Sequence, residues 1–273
     1  MRLIITKHNL GLFASCYVMD KINKHDFLKK KQFVLGLPTG GTAEDMYKHL
    51  VLFYKQKMIS LSSVVTFNMD EYIGIDREHS QSYYQYMKTK FFDYVDILDQ
   101  NINIPNGMAK NIKEECENYE KKILQVGGID LFIGGVGENG HIAFNEQYSS
   151  LSSKTRDKEL NKSTIHANAR FFDNDINKVP KSAITVGVST IMEAEEVMIL
   201  VSGVKKAVAL QQALEGSVSH LYTITALQMH KKAIIVADEE ACLELKLKTY
   251  KYFLEIEDEF SYIDKMCENF LKK

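Results

Sequence analysis

Apolar residues recur along this chain in two rhythms, and the way the rhythms alternate predicts an α/β fold. Short runs rich in β-branched and aromatic residues, at 1–5, 33–37, 64–67, 129–133, 183–188, 196–202, 223–225 and 233–236, read as strands. Between them the apolar positions fall at helical spacing. Leu12, Cys16, Met19 and Ile22 predict a surface helix, and Met46, Leu50, Phe53 and Tyr54 mark one face of a second. Ser80 or Ser82 opens an aromatic-rich helix over 83–94, residues 101–107 read as a turn, and a charged helix runs from about 111 to 126. A further helix covers 207–214, and a lysine- and glutamate-rich helical tail follows residue 253 or so. Strands separated by helices through most of the length imply a doubly wound, mainly parallel sheet with helices on both faces. No repeat or linker interrupts the pattern, so residues 1–273 are expected to form a single domain.

Composition narrows the class without naming it. With 45% hydrophobic residues, 26% charged residues and a net charge of −2, the chain has a globular balance and no overall attraction to nucleic acid or an anionic membrane. Cys16, Cys116, Cys242 and Cys267 are scattered, with neither a CxxC pair nor a zinc spacing to any of the eight histidines. Reduced thiols, a cytoplasmic setting and no metal are the expectation. Polar residues bound the apolar stretch 10–19, and no run approaches the ~18 residues of a membrane span, so neither a secretory signal nor a span is expected.

Candidate chemistry gathers where predicted strands end. After the run 129–133 comes GGVGENGHIAFNE, in which four glycines free the backbone while Asn139, His141 and Glu146 bring polar groups to one loop. Residues 135–140 spell GxGxxG, the dinucleotide fingerprint. Yet the residues that follow are a poor opening for a long helix, and the acid expected about 20 residues on falls in a polar tract. The strand at 33–37 runs into Pro38-Thr39-Gly40-Gly41-Thr42 and a helix, which makes either an anion site or a tight turn; Thr42 and Asp45 resemble a capping box. The strand at 64–67 ends in Asn68-Met69-Asp70-Glu71-Tyr72, whose carboxylates are either a general base or a helix cap. The tract 149–158 is either an exposed linker or a second phosphate site built from Ser hydroxyls, Arg156 and Lys158. Arg170, beside Phe171 and Phe172, is a packed surface cation or an anion clamp. Lys205 and Lys206 open a helix, where cations cost roughly 0.3–1 kcal/mol unless an anion offsets them.

Taken together, Leu35–Thr42, Thr66–Tyr72, Gly135–Glu146 and Arg170–Asn174 resemble the glucosamine-6-phosphate deaminase family, also called glucosamine-6-phosphate isomerases, with the blocks in family order as far as about Phe253. The resemblance implies a Rossmann-like fold and the conversion of glucosamine 6-phosphate and water to fructose 6-phosphate and ammonia, with no metal, nucleotide or other cofactor. By resemblance, Thr39, Gly40, Gly41 and Thr42 with Arg170 and Lys206 hold the phosphate. His141 moves the ring-opening proton, Asn139 and Glu146 orient it, and Asp70 is the base at C2. The family also implies a hexamer activated by N-acetylglucosamine 6-phosphate, at a site matching Met1, Ser149, Ser150, Arg156, Lys158, Glu159 and Tyr252.

Three departures from the family pattern matter. Asn139 stands where the family often has Asp, and it accepts a hydrogen bond but cannot stabilise an imidazolium by charge. Gln147 replaces a common proline, and Glu159 replaces a threonine of the activator site. The competing readings are a 6-phosphogluconolactonase-like hydrolase, which needs no base at C2, a non-catalytic sugar-phosphate sensor, and a dinucleotide dehydrogenase.

Overall fold

The computed structural model describes residues 1–256 and 260–272. In chain order its elements begin β1 (Arg2–Ile5), α1 (Leu10–Asn23), β2 (Phe33–Leu37), α2 (Gly41–Lys55), β3 (Val64–Asn68), β4 (Asp70–Tyr72), α3 (Tyr83–Lys90), β5 (Ile102–Asn103) and α4 (Ile112–Gln125). They continue β6 (Leu131–Gly135), β7 (Arg156–Glu159), α5 (Lys162–Asn168), β8 (Ser182–Thr185), α6 (Val188–Met192), β9 (Glu196–Val201), α7 (Ala207–Glu215), β10 (Ala233–Ala237), α8 (Leu247–Glu255) and α9 (Ser261–Leu271).

Seven strands form one parallel sheet in the order β1-β10-β9-β6-β2-β3-β5. Side chains alternate along each strand, so the two faces bury different sets. Leu35, Leu37, Ile133, Leu200 and Val236 pack with α1 and α2, while Val34, Phe67, Phe132, Ile199 and Ile235 pack with Tyr119 and Ile123 of α4 and with Leu210 of α7. This is the Rossmann-like, helix-on-both-faces architecture that the pattern predicts. A second sheet, β4-β8-β7, is antiparallel and grows out of the first: β3 passes through Met69 directly into β4, and the Val186 N–H donates to the Met69 carbonyl.

Several local expectations change. The predicted surface helix α1 buries twelve of its fourteen residues, because α2 lies along it and α9, from the far end of the chain, covers another side. No Thr42–Asp45 box caps α2. Gly40, at φ +103°, is its N-cap, and Ala43 and Glu44 donate their N–H groups to the Gly40 carbonyl. The run 183–188 lies in the small antiparallel sheet, not the parallel one, and ends in α6. The predicted strand 223–225 is the start of a 3-10 helix, Thr223–Met229: the Thr223 hydroxyl donates to the Asn145 carbonyl and the Thr225 hydroxyl to those of Ser219 and Tyr222, so side chains replace ladder partners. The tract 149–158 is no linker, since its end forms β7.

Candidate active site

β2 and β6 are neighbours whose connections leave in opposite directions, β2 toward β3 and β6 toward β9. That divergence opens a crevice at their carboxyl ends, the usual ligand position in open α/β sheets. A cleft of about 460 Å³ lies there, lined by Thr39–Thr42, Asp70, Gly134–Glu138, His141, Arg170 and Lys206. The strand ends singled out in the sequence thus meet in one place. Gly40 needs its positive φ to turn the chain into α2, and a Cβ at Gly41 would meet nothing within 4 Å, so the first turn of α2 opens its unpaired N–H groups toward the cleft.

The adjacent carboxylates have separate fates. Glu71 shares the capping of α3 with the N-cap Ser82: its Oε1 accepts from the Tyr72 and Tyr83 N–H groups and its Oε2 from that of Tyr84, at 2.9 to 3.0 Å. Asp70 is 7% exposed, and among the described residues its carboxylate accepts no hydrogen bond. Burial, reinforced by the charge of Glu71, pushes its carboxyl up to about 8. A carboxylate so poised takes a proton readily near neutral pH.

Across the cleft stands the His141 relay. The Asn139 amide donates from Nδ2 to Glu146 Oε2 at 3.1 Å, which turns its Oδ1 toward His141 Nδ1. Glu146 Oε2 is also 3.3 Å from Nδ1. Two acceptors facing Nδ1 place the ring proton there and leave Nε2 as the acceptor for a ligand. Burial alone would raise the Glu146 carboxyl, but the hydrogen bond and charge of His141, and the hydrogen bonds from Thr164 and Asn139, hold it down at about 2. The imidazole lies against Gly137, where a Cβ would sit 2.2 Å from the ring. The loop is not followed by a helix; residues 142 and 145 close a small turn instead, so the GxGxxG spelling lacks the helix N-terminus that a dinucleotide needs.

Lys206 lies half-buried between β9 and α7, where burial lowers the pKa of its ammonium. Lys205 pairs with Glu138 at 3.8 Å, whereas Lys206 forms no ion pair among the described residues. Arg170 is exposed, its guanidinium 4.7 Å from the Phe171 ring centre. The remaining predicted residues lie outside the cleft in two groups. Met1 and Tyr252 belong with β1 and α8, while Ser149, Ser150, Arg156, Lys158 and Glu159 lie on and before β7. Arg156 and Lys158 share one face of β7, and Asp157 and Glu159 the other. Sequence reasoning missed Thr164, whose hydroxyl donates to Glu146 Oε1; nothing distinguishes it among the polar residues around it.

Residues 13–236 match the family model described as "Glucosamine-6-phosphate isomerases/6-phosphogluconolactonase". A Fusobacterium nucleatum protein named glucosamine-6-phosphate deaminase is 56% identical over 274 aligned residues, covering 100% of both chains. A Pasteurella multocida protein of the same name is 56% identical, covering 93% of this chain and 96% of its own. Among solved structures, a monomeric glucosamine-6-phosphate deaminase aligns with TM-score 0.84 and 35% identity, over 89% of this chain and 100% of that one. A Thermotoga maritima 6-phosphogluconolactonase has the same fold at TM-score 0.68 and 18% identity, over 87% of this chain and 99% of that one.

Proposed function

The chain belongs to the family of glucosamine-6-phosphate isomerases and 6-phosphogluconolactonases, and from that premise we propose that it is a glucosamine-6-phosphate deaminase of amino-sugar catabolism, a hydrolase that isomerises as it deaminates. The observation that carries this reading is the pairing, in one cleft, of a buried carboxylate poised near neutral pH with a histidine relay and an open anion-binding turn. A lactonase needs no base at C2, and a sensor needs no relay.

Each residue then has a task. The N–H groups of the Thr39–Thr42 turn, with Arg170 and Lys206, hold the 6-phosphate dianion. His141 Nε2 takes the proton of the anomeric hydroxyl and returns it to the ring oxygen, opening the pyranose to the aldehyde; Glu146 and Asn139 fix the tautomer that allows it. Asp70 removes the C2 proton to give an enolamine and delivers a proton to C1, leaving an imine at C2. Water adds to that carbon, and the carbinolamine expels ammonia to form fructose 6-phosphate. Ammonia release from glucosamine 6-phosphate, read in a coupled assay, tests the reading; a chain that releases none refutes it.

Asn139 leaves a signature in the pH profile. Asn139→Asp adds a negative charge beside Nδ1 and withdraws the amide donor from Glu146. The acidic limb of kcat/KM is expected to move upward in this variant. Superimposable wild-type and variant profiles would refute that role for Asn139.

The regulatory assignment completes the proposal. N-acetylglucosamine 6-phosphate is the activator, bound in a cytoplasmic hexamer by Ser149, Ser150, Arg156 and Lys158 together with Met1, Glu159 and Tyr252. Support comes from Ser149, whose hydroxyl is buried with no partner among the described residues, and from the Arg156 guanidinium, whose pKa burial lowers. Glu159 lies on the opposite face of β7 from Arg156, so it does not repel an anion held there. The four cysteines are buried as thiols, in keeping with a reducing setting, and among the described residues no helix is long and apolar enough to cross a membrane. Sigmoidal kinetics that the activator renders hyperbolic are expected; hyperbolic kinetics that it does not alter would sink the assignment.

A further inference from the structure

Glu146 is held from two sides. Its Oε2 takes the Asn139 amide at 3.1 Å and faces His141, whereas its Oε1 takes the hydroxyl of Thr164. Thr164 does not belong to the relay loop. It stands on α5, which runs through Asn168, in right-handed helical conformation, into the 3-10 turn Ala169–Phe171 that carries Arg170. Thr164 and Arg170 therefore ride on one continuous helical stretch, one reaching the catalytic carboxylate and the other the anion-binding cleft.

That stretch is lightly anchored. α5 itself buries no residue; Ile165 rests partly buried on the small core of Tyr72, Phe144 and Leu160, Ala169 is buried beside them, and Asn168 Nδ2 donates to the Tyr72 hydroxyl at 2.8 Å. Among the described residues the Arg170 guanidinium has no carboxylate partner; its contact is the face of Phe171. An anion gripped by Arg170 pulls on an element whose side-chain polar holds are the Asn168–Tyr72 hydrogen bond and, on the relay itself, the Thr164–Glu146 hydrogen bond.

We propose that Thr164 is a positioning residue through which occupation of the phosphate site sets Glu146, and hence the His141 relay, for ring opening. The protein would thereby discriminate phosphorylated from unphosphorylated amino sugars in turnover and not in binding alone. This inference rests on the deaminase reading.

A substrate supplied in two pieces tests it. Glucosamine, which lacks the 6-phosphate, is the sugar piece, and phosphite dianion is the anion piece. For wild type, saturating phosphite is expected to raise ammonia release from glucosamine about tenfold or more. Thr164→Val is expected to abolish that stimulation and Thr164→Ser, which keeps the hydroxyl, to retain it. With intact glucosamine 6-phosphate, Thr164→Val is expected to lower kcat about tenfold while KM stays within about threefold, the loss of one hydrogen bond to a charged group. Calorimetry with inorganic phosphate and the thermal midpoint report whether the valine variant keeps its fold and its anion site; if it does not, the serine variant and an alanine variant carry the comparison. Stimulation that persists without the hydroxyl, a wild type that phosphite does not stimulate, or a serine variant as impaired as valine overturns the inference. A wild type that releases no ammonia even from glucosamine 6-phosphate overturns the deaminase reading itself.

Discussion

Asp70→Asn is expected to lower kcat by about 10²–10⁴-fold, the usual contribution of a positioned general base, while leaving KM for glucosamine 6-phosphate nearly unchanged. The same substitution is expected to stabilise the fold in a pH-dependent way. The folded carboxyl holds its proton up to about 8, whereas an unfolded Asp releases it near 4. Between those values the unfolded chain binds fewer protons, so the contribution of Asp70 to wild-type stability is greatest below about pH 4 and is lost as pH rises through about 8. Asn carries no such liability. The Tm advantage of the variant should therefore widen from pH 4 to pH 8, and wild-type kcat/KM should rise over the upper part of that range as the base ionises. A variant with both full turnover and an unchanged Tm difference would remove Asp70 from the mechanism.

Gly137→Ala should be nearly as damaging without touching a titratable group. The Cβ it adds would lie 2.2 Å from His141 Cε1, with both ring nitrogens within 2.6 Å, so the imidazole must leave its place over the loop. Backbone yielding is limited, because the Gly137 N–H donates to the His141 carbonyl at 2.8 Å and the Gly140 N–H to the Gly137 carbonyl at 3.0 Å. Displacement of about 1 Å at a catalytic group costs on the order of 10²-fold. We expect kcat/KM to fall by that amount while circular dichroism and inorganic phosphate binding stay as in wild type. Turnover within about threefold of wild type would mean that the ring's seat on Gly137 is not required.

Much of this site could be read before any coordinates. Strand ends followed by glycines or carboxylates announced Gly40, Asp70, Gly137 and Lys206, since a parallel sheet brings such ends to one edge. What could not be read depended on partners distant in sequence. The apolar rhythm of α1 gives one face, but α9 adds a second layer that no local pattern encodes. Residues 223–225 have strand-forming side chains, yet their hydroxyls find backbone groups in two loops and the ladder never forms. Between Asp70 and Glu71 the side-chain pattern leaves the choice open, and only the family resemblance points to Asp70. Adjacent residues on a strand point to opposite sides, and only the arrival of α3 decides which of them caps a helix. Thr164 carries no mark at all, because α5 offers two adjacent hydroxyls, Ser163 and Thr164, and only the fold selects one.

The passage of β3 through Met69 into β4 has a mechanical consequence. The phosphate turn and the histidine loop are mounted on the large sheet, after β2 and β6, whereas Asp70 begins a strand of the small sheet and the stretch bearing Thr164 and Arg170 is strung between that sheet's β7 and β8. The site is thus assembled from two sheets that are continuous through Met69 and are tied besides by the Phe144 N–H on the Thr185 hydroxyl and the Arg156 guanidinium on Asn145 Oδ1. Any displacement of the small sheet against the large one would carry the base and the arginine together relative to the imidazole and the phosphate turn. Val186, which does not line the cleft, is therefore a place where a substitution would tune the rate by altering how the two sheets meet.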